Sequence, residues 1–358
     1  MEKYIIGIMS GSSLDGIDLA YCHIKETNGN YSFEILTADC VPYSEAWVNR
    51  LRNLPLASGK ELWQSHADLG RHFGEVVKAF IGKEEIGNVD FVASHGHTIF
   101  HFPEQKFTTQ IGEGAAMAAA CNLPVVCDFR TTDVASGGTG APIVPIADKL
   151  LFCQYDFCLN LGGIANVSAK NSREILAYDI APCNQLLNAF AQELNVDFDD
   201  KGAIAKSGKV EEKVLKAIME LEFHNKLFPK SLDNSFSTKS VLPIFEQMAT
   251  KDKLSTAVEY IANCVSKEIE TVGEALGLGL ENATLLATGG GAFNTFLMER
   301  IAAKTAVKIV TPQREIVQYK EAVAMALMGF LRWEGKANVL SSVTGANKNT
   351  VNGAIYLS

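Results

Sequence analysis

Residues 4–24 read YIIGIMSGSSLDGIDLAYCHI, and this stretch decides the fold. The run Tyr4 to Met9 has the length and β-branched content of a buried strand. It breaks at Ser10-Gly11-Ser12-Ser13, small residues that allow a tight turn and close approach of the backbone to a ligand. After Asp15-Gly16 the apolar positions return at Ile17, Leu19 and Tyr21, alternating with Asp18, Ala20 and Cys22. The pattern predicts a β-hairpin whose tip is rich in backbone amides and hydroxyls. Successive N–H groups in such a turn form a concave, anion-binding surface. An ordinary glycine-rich hairpin turn satisfies the same pattern. A Walker A loop does not, because the Gly-Lys-Ser/Thr ending is missing and a strand rather than a helix follows. Beside a bound anion, Asp15 and Asp18 make sense chiefly with a divalent cation or a sugar hydroxyl between.

The same arrangement returns in the second half. Asp156 to Leu161 is an apolar strand that runs into Gly162-Gly163, resumes at Ile164 to Ser168, and is followed by a third strand, Ile175 to Asp179. Ser32 to Val41 supplies the matching third strand of the first half. Two halves that each open with a three-strand meander imply a duplicated α/β architecture with a cleft between the halves. Thr284 to Thr288 leads into a third glycine turn, Gly289-Gly290-Gly291, and a helix start, another backbone-type anion site. Asp179 ends its strand beside a helix start at 181–184, a position that favours the ionised form. With boundaries near residues 140 and 320, the first domain is 1–140 plus 321–358 and the second is 141–320.

Between these landmarks, residues 44–83 have a helical pattern and Val89 to Ala93 is a short buried strand. That strand ends in the polar cluster Ser94-His95-Gly96-His97-Thr98, at the strand edge where α/β sheets collect ligands. His95, His97 and His101 could be drawn as a zinc set, but no Cys or carboxylate stands at zinc spacing. After a strand over 124–128, Arg130 is the natural cation for a phosphate or carboxylate. The stretch 136–142 is a glycine-rich connector suited to a hinge or a closing loop. Helices are expected over 208–221, 254–276 and 321–333. Phe228-Pro229-Lys230-Ser231 reads as a turn carrying a phosphate- or substrate-binding lysine. A net charge of −9 without a basic tract argues against nucleic acid as a partner. No apolar run is long enough to span a bilayer, residues 1–10 lack a signal-peptide pattern, and the eight scattered cysteines include no CxxC pair. These features predict a cytoplasmic protein with reduced thiols.

The segments GIMSGSSLDGID, SHGHTIFHFP, TQIGEG, VVCDFRTTDVASGGTGAPIVP, LNLGGIANVS, FPKS, LLATGGGAFN and SVTGANKNTVNGAIY together resemble the anhydro-N-acetylmuramic acid kinases over essentially the whole chain. That family belongs with sugar kinases, heat-shock chaperone ATPases and actin. The resemblance implies two duplicated ribonuclease H-like (actin-like ATPase) domains with the active site in an interdomain cleft. It implies a kinase of cell-wall recycling that uses ATP and water to turn 1,6-anhydro-N-acetylmuramic acid into N-acetylmuramic acid 6-phosphate. Asp179 matches the family's catalytic base. Gly11, Ser12, Ser13, Leu14, Asp15, Gly16, Ile17 and Asp18, with Gly162, Gly163, Gly289, Gly290 and Gly291, fall to ATP, its phosphates bridged by Mg²⁺. His95, Arg130 and Glu321 fall to the sugar, no protein-only metal site is assigned, and the resemblance further implies a homodimer.

The chain departs from the family pattern in four places. Ser12 replaces Thr, Glu113 replaces Asp, Thr131-Thr132 replace two arginines, and Ile180-Ala181-Pro182-Cys183-Asn184 loses a hydroxyl and a glycine after the base. An ordinary N-acetylhexosamine kinase and a sugar- or nucleotide-binding sensor without catalysis are the competing functions.

Overall fold

A computed structural model describes residues 1–11, 13–233 and 235–358. The chain forms two compact units, one of residues 1–152 with 319–358 and one of residues 153–318. Residues 141–152, expected in the second domain, belong to the first unit. Their short helix Pro145–Leu150 carries Asp148, buried against the Lys320 ammonium at 2.6 Å, and the Phe152 ring packs edge-on against Phe33.

The first unit is built on β1 (Glu2–Ser10), β2 (Gly16–Thr27), β3 (Asn30–Pro42), β4 (Phe91–Phe102), β5 (Phe107–Ile111) and β6 (Val125–Cys127). The second carries β7 (Phe157–Leu161), β8 (Ile164–Lys170), β9 (Ile175–Pro182), β10 (Thr284–Thr288) and β11 (Lys308–Val310), and β12 (Ala354–Tyr356) returns to the first. Among the described residues the first sheet runs β12-β6-β4-β1-β2-β3 with β5 on β4, and the second runs β11-β10-β7-β8-β9. Each begins with an antiparallel meander, β1-β2-β3 or β7-β8-β9. Each then adds two parallel strands beside the first strand of that meander, β4 and β6 or β10 and β11.

The unbroken apolar character of residues 4–9 has a physical cause, because β1 is covered on both faces. On one face Ile6 and Ile8, paired with Tyr21 and Leu19, pack with Leu69, Phe73, Val77 and Phe80 of the helix Gly59–Lys83. On the other, Gly7 lies against the helix Arg314–Trp333 so closely that a Cβ would collide with the Ala322 carbonyl oxygen. In the second unit the helix Thr250–Leu276 buries Ala257, Ile261, Val265 and Ile269 in a core shared with β7, β8 and β9.

Several elements differ from the sequence-based expectation. The single helical stretch 44–83 is two helices, Glu45–Asn53 and Gly59–Lys83. Pro55 interrupts it with a short 3₁₀ turn, and the second helix restarts from a Ser58/Glu61 capping box. The strand expected over 89–93 begins at Phe91 and continues to Phe102, because residues 97–102 pair antiparallel with β5. The cluster at 94–98 is therefore strand, not the loop after one. The connector 136–142 is fastened rather than free. Buried Asp133 accepts from Gly140 N at 2.8 Å and Thr344 Oγ1 at 2.9 Å, and Thr139 N donates to Thr344 O at 2.8 Å. The helices expected over 208–221 and 254–276 span Glu212–Met219 and Thr250–Leu276.

Candidate active site

In the first unit the chemistry gathers where β1 and β6 end and the parallel pairing of β4 with them stops, the carboxyl edge of the parallel strands. Ser10 closes β1, its Oγ 2.7 Å from the Tyr43 hydroxyl and 2.9 Å from His97 Nδ1, which ties the base of the hairpin to β4. At the tip, Gly11 O accepts from Leu14 N at 3.3 Å, and Leu14 takes the left-handed conformation, φ 62°. Ser13, Asp15 and Gly16 complete the described turn, and Ile17 is buried in the core under it. Ser12 lies outside the described residues. Asp18 follows at the start of β2, opposite Met9 and Cys40.

Arg130, His95, Glu321 and Asp18 form one electrostatic group. Arg130 Nε donates to His95 Nε2 at 2.8 Å and its Nη1 to Gly140 O at 2.6 Å. Since Nε2 accepts, the proton of the neutral imidazole sits on Nδ1, which donates to Gly96 O at 3.0 Å. Burial and then the Arg130 charge hold the His95 pKa well below the ordinary histidine range. Burial also draws Arg130 down to about 10, against the opposing pull of Glu321 and Asp133. The Glu321 carboxyl is raised, by burial first and the Asp18 charge second, while Lys320 and Arg130 pull it down. Asp18 is raised as well, by burial and by Asp15, with a hydrogen bond from Cys40 opposing. Four residues distant in sequence thus come together, two of them the carboxyl pair Asp18 and Glu321, placed by the close seating of the Glu321 helix on Gly7.

His95 also lines a cavity of about 370 Å³ within this unit, together with Trp63, His66, Gln110, Asp128 and Tyr356. Thr131, one of the two residues standing where the family has arginine, is on the same wall. Its hydroxyl is bonded to the Asp128 carboxylate, so it serves the start of the helix Thr131–Ala135.

In the second unit four polar residues stand in register across the sheet. Thr288 on β10 pairs with Asn160 on β7, Asn160 with Asn166 on β8, and Asn166 with Asp179 on β9. In-register partners share a face, so the row ends in the Asp179 carboxylate. Asparagine is depleted in strands. The one Asn in the otherwise apolar run 157–161 was the signal that reading for glycine turns alone passed over.

Asp179 Oδ2 accepts from Leu232 N at 2.9 Å and from Ser231 Oγ at 3.2 Å, and Asp179 N donates to Lys230 O at 3.0 Å. Burial raises the carboxyl above the ordinary Asp range, and the two hydrogen bonds offset part of that rise. This shift is opposite in sign to the one expected from a neighbouring helix N-terminus. The first amides of the helix Asn184–Gln192 are already taken by the glycine turn, Asn184 N by Gly162 O and Gln185 N by Gly163 O. The carbonyls of Gly162 and Gly163 therefore face the helix. The planar trans peptide turns the Gly163 N–H the other way.

Gly289 lies at φ 79°, with a Cβ position 2.5 Å from Asn160 Oδ1, so only glycine seats this turn on β7. Gly290 and Gly291 continue it beside Asn184. Lys230, expected to bind phosphate or substrate, is buried, its ammonium 2.6 Å from Glu268 Oε1. Its turn serves Asp179 through the backbone and Ser231 instead. Thus Asp18, His95, Arg130 and Glu321 come together in the first unit, and Asp179, Gly162, Gly163 and Gly289–Gly291 along one edge of the second sheet.

Among solved structures, the activator of 2-hydroxyisocaproyl-CoA dehydratase from Clostridium difficile with bound ADPNP aligns with a TM-score of 0.46 at 13% identity, covering 93% of this chain and 96% of that one. Among curated relatives, the anhydro-N-acetylmuramic acid kinase of Shewanella oneidensis is 31% identical, over 99% of this chain and 99% of its own length. That of Bacillus cereus is 30% identical over 98% of each. The family model described as anhydro-N-acetylmuramic acid kinase matches residues 3–358. With full-length relatives at this identity and a family match across nearly every residue, the chain belongs to the anhydro-N-acetylmuramic acid kinase family.

Proposed function

We propose that this chain opens 1,6-anhydro-N-acetylmuramic acid with water and phosphorylates the freed 6-oxygen from ATP, with Asp179 as the general base. The observation that carries this reading is the Asp179 carboxylate itself. It is a partly buried acid, raised in pKa, held by two hydrogen bonds to one oxygen and standing at the end of a polar row. Those bonds occupy Oδ2 and leave Oδ1 to take a proton from water. The water oxygen bonds to the anomeric carbon as the bond from that carbon to the bridging oxygen breaks. The bridging oxygen keeps the electron pair and takes the γ-phosphoryl group, and ADP departs. Arg130 is read as binding the sugar's carboxylate through the guanidinium nitrogen that His95 and Gly140 leave over, with His95 contributing by holding Arg130 and with Glu321 beside them.

Family membership and the glycine-rich tips support ATP as phosphoryl donor and duplicated ribonuclease H-like (actin-like ATPase) domains as the fold; the shared strand order of the two sheets fits that assignment. The hairpin Gly11 to Asp18 and the turns at Gly162-Gly163 and Gly289–Gly291 are read as its phosphate contacts. Mg²⁺ suits the hard oxygen donor of Asp18, whose carboxyl is raised by burial and by the Asp15 charge beside it. When bound it neutralises phosphate oxygens. The reading takes the protein to work in the cytoplasm, where its cysteines stay reduced, and as a homodimer. Among the described residues no helix is long and apolar enough to cross a membrane.

Oxygen labelling tests the chemistry. A reaction in ¹⁸O-water places label at the anomeric hydroxyl of the product, faster than spontaneous exchange, and none in its phosphate. An ordinary hexosamine kinase incorporates no solvent oxygen and prefers the open-ring sugar, so that pattern would overturn the proposal. For the nucleotide site, Gly11→Val raises the KM for ATP far more than that for the sugar. The free protein has room for the side chain, with Ser13 Oγ at 3.6 Å as its near neighbour. The bulk then obstructs only the approach of backbone amides to phosphate. Unchanged ATP affinity would reduce the hairpin to a turn.

A further inference from the structure

We infer that Lys230 and Glu268 are positioning residues for the base: their buried ion pair clamps the segment 228–232, and that segment sets the place of the Asp179 carboxylate. The inference rests on the reading of Asp179 as general base. The segment has no ladder of its own, yet it touches Asp179 three times, through Lys230 O, Ser231 Oγ and Leu232 N. A segment of irregular backbone holds such contacts only if something outside it fixes its position.

Glu268, near the end of the long helix Thr250–Leu276, does this from two sides. Its carboxylate takes the Lys230 ammonium at 2.6 Å, with the two side chains only 3% and 6% exposed. Its backbone carbonyl accepts from the Tyr178 hydroxyl at 3.4 Å, and Tyr178 immediately precedes Asp179 on β9. The Phe228 ring stacks on Tyr178, centroids 5.4 Å apart and 12° from parallel. The ammonium also lies 5.0 Å from the centre of the Phe223 ring. One helical residue therefore holds both the strand and the segment that flank the carboxylate. A buried pair is weak evidence for added stability, because an apolar pair of similar volume often serves as well. Position is what such a pair supplies here. Displacing a reacting group by about 1 Å can cost ~10²-fold in rate.

The test is the double variant Lys230→Met/Glu268→Met, assayed for kcat, for both KM values and for Tm. A stable fold with kcat lowered about 10- to 100-fold and KM for ATP within about twofold supports the inference. A stable fold with full kcat overturns it, since the pair then only fills space. In an Asp179→Asn background the double substitution brings no further loss if it acts through the carboxylate; a further multiplicative loss also overturns it. If Asp179→Asn alone keeps more than about a tenth of wild-type turnover, the reading of the base fails, and the clamp with it. Should the double variant not fold, the exposed Ser231 decides. Ser231→Ala lowers kcat several-fold at unchanged KM for ATP and Ser231→Thr restores it, whereas an unaffected kcat in Ser231→Ala counts against the clamp.

Discussion

Asp179→Asn lowers kcat by about 10²- to 10⁴-fold while leaving the fold and ATP binding intact. The side chains are nearly isosteric. An asparagine oxygen still accepts the Leu232 amide that now donates to Oδ2 at 2.9 Å, so the segment beside β9 stays in place. What disappears is the ability to take a proton. The wild-type pH profile carries the same signature. Burial raises the Asp179 carboxyl, and only its ionised form is a base. Activity therefore rises with pH through a value above the ordinary Asp range near 4, and this acid limb vanishes from whatever turnover the variant retains. Steady-state kinetics from about pH 4 to 8, with Tm and ATP affinity in parallel, check the prediction. An asparagine variant with more than about a tenth of wild-type turnover would remove Asp179 from the role.

Gly7→Ala destabilises the first unit by about 3 kcal/mol and weakens sugar use together with stability. The methyl group would collide with the Ala322 carbonyl oxygen and come within 3.0 Å of Ala326 N. Backbone atoms cannot swing aside as a side chain does, so the whole Arg314–Trp333 helix must lift from β1. Glu321 precedes Ala322 and moves with it, away from Asp18 and Arg130. A loss of that size lowers Tm by about 6–12 °C in a domain of this length. Gly59→Ala is the control. It lies in the first turn of a helix with nothing within 4 Å, and it should hold or gain stability. Differential scanning calorimetry and the sugar KM read both effects, and a Gly7→Ala protein with wild-type Tm would contradict the seating of the helix.

The legible parts of this chain were those written in local pattern. The alternation from Ile17 to Cys22 and the apolar run before it gave the hairpin, and the repeat at Phe157 to Asp179 gave the second meander. The illegible parts depend on partners distant in sequence. Residues 94–102 mix His, Gly, Thr and Phe without a clean period, and they become strand because residues 107–111 come back to pair with them. Gly137, Gly138 and Gly140 looked loose because nothing local shows that Asp133 and Thr344 bind the stretch around them. Lys230 looked like a ligand for phosphate because its counter-ion is 38 residues away, inside a helix. Charged residues in loops are mostly exposed, and the rare buried one is invisible without its partner. In the candidate site, Asp179 and Arg130 could be found by type and place. Glu321 was reached only through resemblance, since its nearness to Asp18 depends on helix packing against Gly7.

The discontinuity of the first unit fixes an order of events during synthesis. Residues 153–318 form a continuous unit and can collapse as soon as they leave the ribosome, as domains generally do. The earlier-made residues 1–152 cannot finish. The helix that covers one face of β1 and the strand that covers the edge of β6 are translated after most or all of residues 153–318, so a half-clad sheet must wait through the production of its neighbour. During that interval Ile5 and the β6 edge are open to chaperones and to other nascent chains. Slow translation of residues 153–318 should therefore cost yield of soluble protein, even though the first unit's own codons are untouched.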